Sequence, residues 1–166
     1  MAIVQLSISA LPVHVRTARL LATTVARRSG VPEATLDEVR LAVGEACSRA
    51  VESHQAQCPE QPIKVELHDG TEGEQPRFEV TVCDFAPADT DPMPAATLES
   101  VPADGSTPPG GVSSLPTDIG LAVISGLAEE TSVEPSAQGT TIRMSWLIQE
   151  SMEPSAAEYL VNELNL

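Results

Sequence analysis

Residues 36–51 constrain the fold of this chain more than any other segment, because their apolar side chains repeat with the period of an amphipathic helix. Six apolar residues share one face: Leu36, Val39, Val43, Ala46, Cys47 and Ala50. Four charged residues form a second, polar face: Glu38, Glu45, Arg49 and Glu52. A helix with one apolar face has to bury that face against another layer of the fold. We therefore expect a layered domain, in which the polar helix face is either a catalytic edge or solvated surface.

The flanking segments supply the second layer. Alternating apolar and polar residues predict strands at 3–8, 63–67, 78–84, 131–134 and 140–148. Helical spacing predicts helices at 13–28, at 32–53 and from about residue 117 onward. In the last helix we expect the buried side to carry Ile119, Ala122, Val123 and Leu127. The economical packing of these elements is an α/β (α+β) two-layer sandwich, a mixed β-sheet covered on one face by helices.

The chain is expected to form one domain with a long connection and a tail. Its 166 residues are enough to bury a substantial core, and we place the domain at 1–148. Between residues 85 and 116 the periodicity gives way to Pro, Gly, Asp and Ser, which is typical of a lid or a disordered segment. Residues 149–166 form an acidic C-terminal tail, in which 155–166 have the spacing of a short amphipathic helix.

Charge is distributed unevenly along the chain, whose net charge is −15. Residues 1–56 carry six Lys/Arg against five Asp/Glu, whereas residues 57–166 carry three against nineteen. An acidic surface of this size repels phosphate backbones and anionic lipid, which argues against direct binding to nucleic acid or membrane and favours partners with basic patches. The candidate contacts for an acidic partner are the arginines of the first helix, above all Arg16 and Arg19, with Arg27 and Arg28 near them.

The cysteines and histidines indicate no metal site. Cys47, Cys58 and Cys83 lack CxxC spacing, and no apolar run approaches twenty residues, so we expect a cytoplasmic protein with reduced thiols. Cys47 and Cys83 are expected to be small buried apolar side chains. The histidines have no metal-ligand spacing and are expected at the surface: His14, His54 and His68.

Four motifs in this order resemble a known family. They are EACSRAV at 45–51, the strand that ends in Asp84 before the long connection, DIGLAVI at 118–124, and Gly139-Thr140. Together they resemble the anti-sigma-factor serine kinases of bacterial partner-switching systems. These kinases belong to the histidine-kinase-type ATPase superfamily, which includes gyrase B. The resemblance spans residues 3–148. It implies the fold of the histidine-kinase-type ATPases, with the long connection in the position of the nucleotide lid.

The resemblance also implies roles for individual residues. Glu45 falls where the family has the general base that activates a serine hydroxyl of the partner, and Arg49 falls where the family has a magnesium-binding asparagine. ATP contacts are implied for Asp84 at the adenine, Gly120 and Leu121 at the phosphates, and Gly139 and Thr140 in the last motif. The implied cofactors are ATP and magnesium, and the implied partners are a STAS-type anti-anti-sigma protein and a sigma factor.

Two departures from the family pattern weaken the implied chemistry. Arg49 offers only donors and a permanent positive charge, so we do not expect it to bind magnesium. Asp84 is followed by Phe85, Ala86 and Pro87 rather than by glycines that allow a close approach of the backbone to a ligand.

Each family motif also has a purely structural interpretation. Glu45 and Arg49 have the spacing and order of a helical i,i+4 ion pair. Asp84 can simply end its strand, Gly120 can allow close helix packing, and Gly139-Thr140 can form a hairpin turn.

The sequence thus leaves three functions open. We favour a regulatory anti-sigma-like protein that binds an anti-anti-sigma factor, a sigma factor or both, with impaired or lost binding of ATP and magnesium. The first alternative is an active ATP-dependent serine kinase that phosphorylates an anti-anti-sigma factor. The second is a structural homodimer without a switching role.

Overall fold

The structure, a computed structural model, describes residues 2–70, 75–87 and 117–149. Its strands are β1 (Ala2–Ile8), β2 (Ile63–Asp69), β3 (Arg77–Cys83), β4 (Glu130–Ser136) and β5 (Gly139–Leu147). Its helices are α1 (Pro12–Ser29), α2 (Leu36–Gln57) and α3 (Thr117–Leu127), with a short 3₁₀ turn at Glu33–Thr35 before α2. All the strands and helices that the sequence predicts within these ranges are present.

The five strands form one sheet in the order β1-β2-β3-β5-β4, and all of their pairings are antiparallel. The expected mixed sheet is therefore wrong, because the connection through α3 places β4 two positions from β3 and leaves a gap between them. The β4–β5 hairpin then returns β5 into the gap, antiparallel to both of its neighbours. The two-layer sandwich itself is confirmed, since α1, α2 and α3 pack on one face of this sheet.

The core lies between the helices and the inward-facing side chains of alternate strand positions. The apolar face that the sequence predicts for α2 is buried along its whole length, from Leu36 to Ala50. Phe78 and Trp146 are fully buried, with ring centroids 6.1 Å apart, and the Trp146 Nε1–H donates to the Leu127 carbonyl at 3.0 Å. The few aromatic residues thus anchor the α3 end of a core that is otherwise aliphatic.

The buried face of α3 differs from the expected one. Ile119 and Val123 are 45% and 36% exposed, whereas Ile124 is fully buried and Gly120 faces α2. Because α3 approaches α2 closely at Gly120, α3 is rotated about its axis so that the Ile124 side chain lies in the core. The expectation that Ile119, Ala122 and Val123 are buried was therefore wrong, and only Leu127 of that set packs against the core.

The opposite face of the sheet is polar. Arg143 on β5 pairs with Glu79 on β3 at 3.3 Å, and Gln5 on β1 donates to Glu66 on β2 at 2.8 Å. Such a face is suited to contact with water. Among the described residues, none of the helices has the length and apolar character needed to cross a membrane.

Two predictions on chain organisation fall largely outside the described residues. Beyond Pro87 the long connection to residue 116 is not described, and neither is the acidic tail after Gln149. The disorder and the short helix expected there stay predictions. The cysteines are free thiols, with Cys47 fully buried and Cys83 partly exposed, so the expected burial is confirmed for Cys47 alone.

Candidate functional site

Three of the residues singled out from the sequence meet where α3 crosses α2. Gly120 lies so close to α2 that a β-carbon built on it would contact Glu45 Oε1, with Arg49 Cδ and Nη1 each 3.4 Å away. Gly120 therefore allows close packing of α3 on α2, which agrees with the structural interpretation of this residue. The α-carbon of Gly120, the Glu45 carboxylate and the Arg49 side chain fill the junction between the two helices.

The i,i+4 ion pair expected within α2 is not formed. None of the ion pairs among the described residues joins Glu45 to Arg49. The Glu45 carboxylate lies against Gly120 instead. A helical ion pair at a partly exposed position contributes only about 0.3–0.5 kcal/mol, so the packing of α3 is enough to decide the geometry.

A groove of about 380 Å³ runs between α1 and α2, beside this junction. Its apolar walls are Pro12 and Val15 from α1 with Leu41 and Val51 from α2, and its polar lining consists of Arg19, Glu45, Ser48, Glu52 and Gln55. Glu45 is thus shared by the groove and the α2–α3 junction. Of the polar helix face expected from the sequence, Glu45 and Glu52 line this groove.

Arg19 crosses the groove over a glycine. A β-carbon on Gly44 would lie 2.6 Å from Arg19 Cδ and 3.3 Å from Cγ, so the aliphatic stem of the arginine lies flat against the α2 backbone. Arg19 forms no ion pair with any residue that the structure describes, although its charge lies close to the Cys47 thiol. Burial nevertheless raises the pKa of Cys47 to about 12, which makes this thiol unsuitable as a nucleophile.

Sequence analysis missed the role of Gly44. A glycine inside a long helix costs about 1 kcal/mol relative to alanine, so its presence in the middle of α2 was a signal of close approach. The second partner-binding candidate, Arg16, is exposed on α1 and does not line the groove, although it stands one helical turn before Arg19.

Asp84, Gly139 and Thr140 form a second cluster, at the end of β3. Asp84 Oδ1 accepts hydrogen bonds from the Thr140 and Ala86 N–H groups, each at 3.1 Å, and the Asp84 N–H donates to the Thr140 carbonyl at 3.0 Å. Gly139 has φ +134° at the start of β5, and a β-carbon on it would contact the Asp84 carbonyl oxygen. Asp84 thus ends its strand and also holds the β4–β5 hairpin.

Electrostatics connects the two clusters. Burial raises the pKa of the Asp84 carboxyl, and the hydrogen bonds from Thr140 and Ala86 and the positive charge of Arg49 oppose that rise. Burial and the neighbouring Glu45 carboxylate raise the pKa of Glu52, and Arg49 again acts in the opposite direction. The positive charge of Arg49 therefore acts on Asp84 in one cluster and on Glu52 in the groove.

The structure gives His54 a role that sequence analysis missed. The expectation of a surface histidine was wrong here, because His54 is fully buried near the end of α2. Its Nε2 accepts the Phe85 N–H at 2.8 Å, and its Nδ1 lies 2.8 Å from the Gln61 carbonyl, so the neutral ring carries its hydrogen on Nδ1. His54 thus fixes the residue after Asp84 to α2. The signal was its position four residues after Ala50, on the continuation of the apolar face.

The last of the assigned residues, Leu121, is half-buried and packs against the core. The structure therefore brings together Glu45, Arg49 and Gly120 in one cluster and Asp84, Gly139 and Thr140 in the other. Among the described residues, no group of three or more His, Cys, Asp or Glu side chains converges as a metal site would require.

Comparison with known proteins gives a family and a fold. The sequence profile of the histidine kinase-like ATPase domain matches residues 8–146. No curated protein matches the chain. A similar solved structure is that of the RsbU and RsbW domains of Rv1364c from Mycobacterium tuberculosis, with 18% sequence identity and a TM-score of 0.58. The similarity covers 90% of this chain but only 34% of that chain, and at this identity it shows the fold alone.

The profile match extends over most of the chain, so the chain belongs to the histidine kinase-like ATPase domain family. The α2–α3 junction, the end of β3 and the start of β5 hold the residues on which the resemblance rests.

Proposed function

We propose that this histidine kinase-like ATPase domain is a regulatory protein of a partner-switching system, which acts by binding an anti-anti-sigma protein, a sigma factor or both. We further propose that its binding of ATP and magnesium is impaired or lost. The observation that carries the proposal is the position of Arg49, whose side chain packs against Gly120 at the junction of α2 and α3.

The residues at this junction do not fit a magnesium ion. Magnesium takes oxygen ligands in nearly ideal octahedral geometry, and Arg49 contributes none. Its guanidinium would repel the cation at the position where the family resemblance places an asparagine oxygen. The Glu45 carboxylate and the α-carbon of Gly120 take up the space next to it. We therefore assign no step of the function to a bound nucleotide.

The groove between α1 and α2 supports a binding role. It offers apolar walls, two carboxylates at Glu45 and Glu52, and the Arg19 guanidinium on the opposite side. An apolar side chain of a partner can enter between the walls, with an acidic group at Arg19 and a basic group at the carboxylates. This pattern suits a protein segment of mixed charge, and it agrees with the preference of an acidic chain for partners with basic patches.

An active serine kinase is the second candidate function, and one observation favours it. Glu45 lines the groove, so its carboxylate is placed to accept a proton from a hydroxyl that enters the groove. The two candidates differ in whether nucleotide binds.

Titration with nucleotide separates them. We expect isothermal titration of the protein with ATP and magnesium to show no binding tighter than about 1 mM, because Arg49 repels the metal. Arg49→Asn supplies a carbonyl oxygen and removes the charge, so this variant is expected to bind at least about tenfold more tightly. Arg40→Asn on the same helix is the matched control, since Arg40 is exposed and pairs with Asp37 at 2.8 Å.

Micromolar binding of ATP by the unaltered protein would contradict the proposal. Phosphorylation of a serine of the partner that is lost in Glu45→Ala would then assign the kinase activity instead.

The partner-binding role is tested at Arg19. Charge reversal in Arg19→Glu is expected to weaken binding of a STAS-type anti-anti-sigma protein from the same organism by about tenfold or more, because an interfacial acid loses its counter-charge. Arg40→Glu, on the exposed side of α2, is expected to leave the affinity within about twofold. The measurement is calorimetric titration of the two proteins. Equal affinities of the two variants would place the binding surface outside the groove.

A further inference from the structure

The outward face of α1 stands out from the rest of this acidic chain. The helix carries four arginines and no acidic residue. Its exposed side has one stripe at helical spacing, which we call the α1 outer stripe: Val13, Arg16, Leu20, Thr24 and Arg27. Val13 and Leu20 are 69% and 57% exposed, which is unusual for two large apolar side chains within one stripe. The groove lies beside this stripe, on the adjacent face of the helix, which contributes Pro12, Val15 and Arg19 to it.

Most arginines at this face have no ion-pair partner among the residues that the structure describes. Arg27 pairs with Glu33 at 2.9 Å, but Arg16 and Arg28 form no ion pair with any residue in the described ranges. A surface with an apolar centre and basic edges fits an amphipathic segment with acidic edges. A second copy of the same face does not fit, because its arginines would meet those of the first.

The chain itself contains a segment with the matching chemistry. Residues 150–166 include four glutamates and no lysine or arginine. Ala157, Leu160, Val161 and Leu164 recur at the i, i+3, i+4, i+7 spacing of an amphipathic helix. Glu158 and Glu163 flank this apolar stripe, as Arg16 and Arg28 lie on either side of Val13 and Leu20 along α1.

The described part of the chain ends where this segment would have to start. The Gln149 N–H donates to the Gly30 carbonyl at 3.1 Å, and Gly30 is the residue that caps the C-terminal end of α1. The described residues therefore end at the C-terminal end of α1, whose last turn carries Arg27 and Arg28. From Val13 to Arg27 the stripe is about 21 Å long at 1.5 Å per residue, and twelve residues from 155 to 166 span about 18 Å as a helix. Residues 150–154 are long enough to reverse the direction of the chain.

We propose that residues 155–166 dock as an amphipathic helix along the α1 outer stripe, antiparallel to α1, with Leu160 and Leu164 along the segment from Leu20 to Val13. The glutamates lie beside Arg16 and Arg28. Tethering at Gln149 raises the effective concentration of the segment at this face, which favours docking within one chain over docking between chains. The docking does not depend on the proposed function of the groove. It does cover Arg16, so an acidic partner would compete with the tail for that side chain.

Cleavage by a glutamyl endopeptidase tests the docking in the full chain. We expect cutting after Glu158 to be about tenfold slower than in a free synthetic peptide of residues 150–166. If the protease cuts only the undocked segment, this ratio corresponds to a docked fraction of about 0.9. An isotope-labelled peptide in the same reaction supplies the reference rate by mass spectrometry. In Leu20→Glu, which alters an exposed residue, the rate is expected to rise to within about twofold of that of the peptide. Leu41→Glu is the matched control, because Leu41 is 52% exposed but lies on α2.

Three outcomes would overturn the proposal. The first is cleavage of the unaltered chain as fast as that of the peptide. The second is protection that survives Leu20→Glu, or that Leu41→Glu removes to the same extent. The third is protection that disappears on dilution, which would indicate docking between chains. Protection that is independent of concentration, lost in Leu20→Glu and retained in Leu41→Glu supports docking on α1.

Discussion

Replacing Gly139 with alanine is expected to lower the free energy of unfolding by about 3–5 kcal/mol, the largest loss we expect from any single substitution at the candidate site. Two costs add at this position. Gly139 has φ +134°, a backbone conformation that is open to glycine and strained for other residues. The new β-carbon would also contact the Asp84 carbonyl oxygen and lie 2.8 Å from Phe85 Cα. Both are backbone atoms, so no side-chain rotation relieves the contact.

The measurement is equilibrium unfolding in urea, followed by the fluorescence of Trp146, the single tryptophan of the chain. Gly126→Ala is the matched control. Gly126 lies in α3 with nothing within 4 Å of a β-carbon, so alanine there is expected to stabilise the protein by up to about 1 kcal/mol. Similar unfolding midpoints for the two variants would contradict the close approach of the β4–β5 hairpin to Asp84.

Replacing His54 with leucine is expected to cost about 2–4 kcal/mol, although leucine has a similar volume and is more apolar. The ring of His54 is fully buried and takes part in two hydrogen bonds of 2.8 Å, with the Phe85 N–H and the Gln61 carbonyl. Leucine leaves the Phe85 N–H facing an apolar side chain, and the cost of an unmade hydrogen bond outweighs the gain in hydrophobic burial. Because Phe85 follows Asp84, the end of β3 is also expected to lose its fixed position relative to α2.

Urea unfolding gives the size of this effect, and His68→Leu controls for the loss of a histidine as such. His68 lies on the polar face of the sheet, 3.8 Å from a Glu66 carboxylate oxygen, and its replacement is expected to change the free energy of unfolding by less than about 1 kcal/mol. Hydrogen exchange at the Phe85 amide supplies a local readout. If that amide exchanges no faster in His54→Leu than in the unaltered protein, the bond to Nε2 does not have the role that we assign to it.

The order and type of the elements could be predicted from periodicity because their apolar patterns are strong and are separated by Pro and Gly. The buried face of α3 could not be predicted in this way. Residues 119–124 are apolar throughout except for Gly120, so helical spacing alone selects no face. The selection is made by α2, since only Gly120 is small enough to lie against Glu45 and Arg49. The antiparallel arrangement of the sheet could not be predicted either. Strand order depends on where the long connection re-enters the sheet, and local periodicity does not show this.

Individual residues of the candidate site could be predicted from the sequence, but their spatial contacts could not. Glu45, Asp84, Gly120 and Gly139 were found because their motifs follow one another in a recognisable order. Gly44 and His54 carry no motif, and their roles depend on what lies opposite them, an arginine stem in one case and a backbone amide in the other. Burial of a polar ring is favourable only when hydrogen-bond partners are present. For His54 one such partner is the Phe85 N–H at the end of β3, which is distant in sequence.

The sequence by itself determined that α2 has an apolar face and a charged face, on which Glu45 and Arg49 stand one helical turn apart. These properties follow from the spacing and chemistry of residues on one helix. Only the tertiary structure decided that Glu45 faces Gly120 and a groove rather than Arg49. A helix fixes which of its own residues are neighbours, but the partner of its charged face is set by the packing of α1 and α3, and that packing outweighs the small energy of an exposed ion pair.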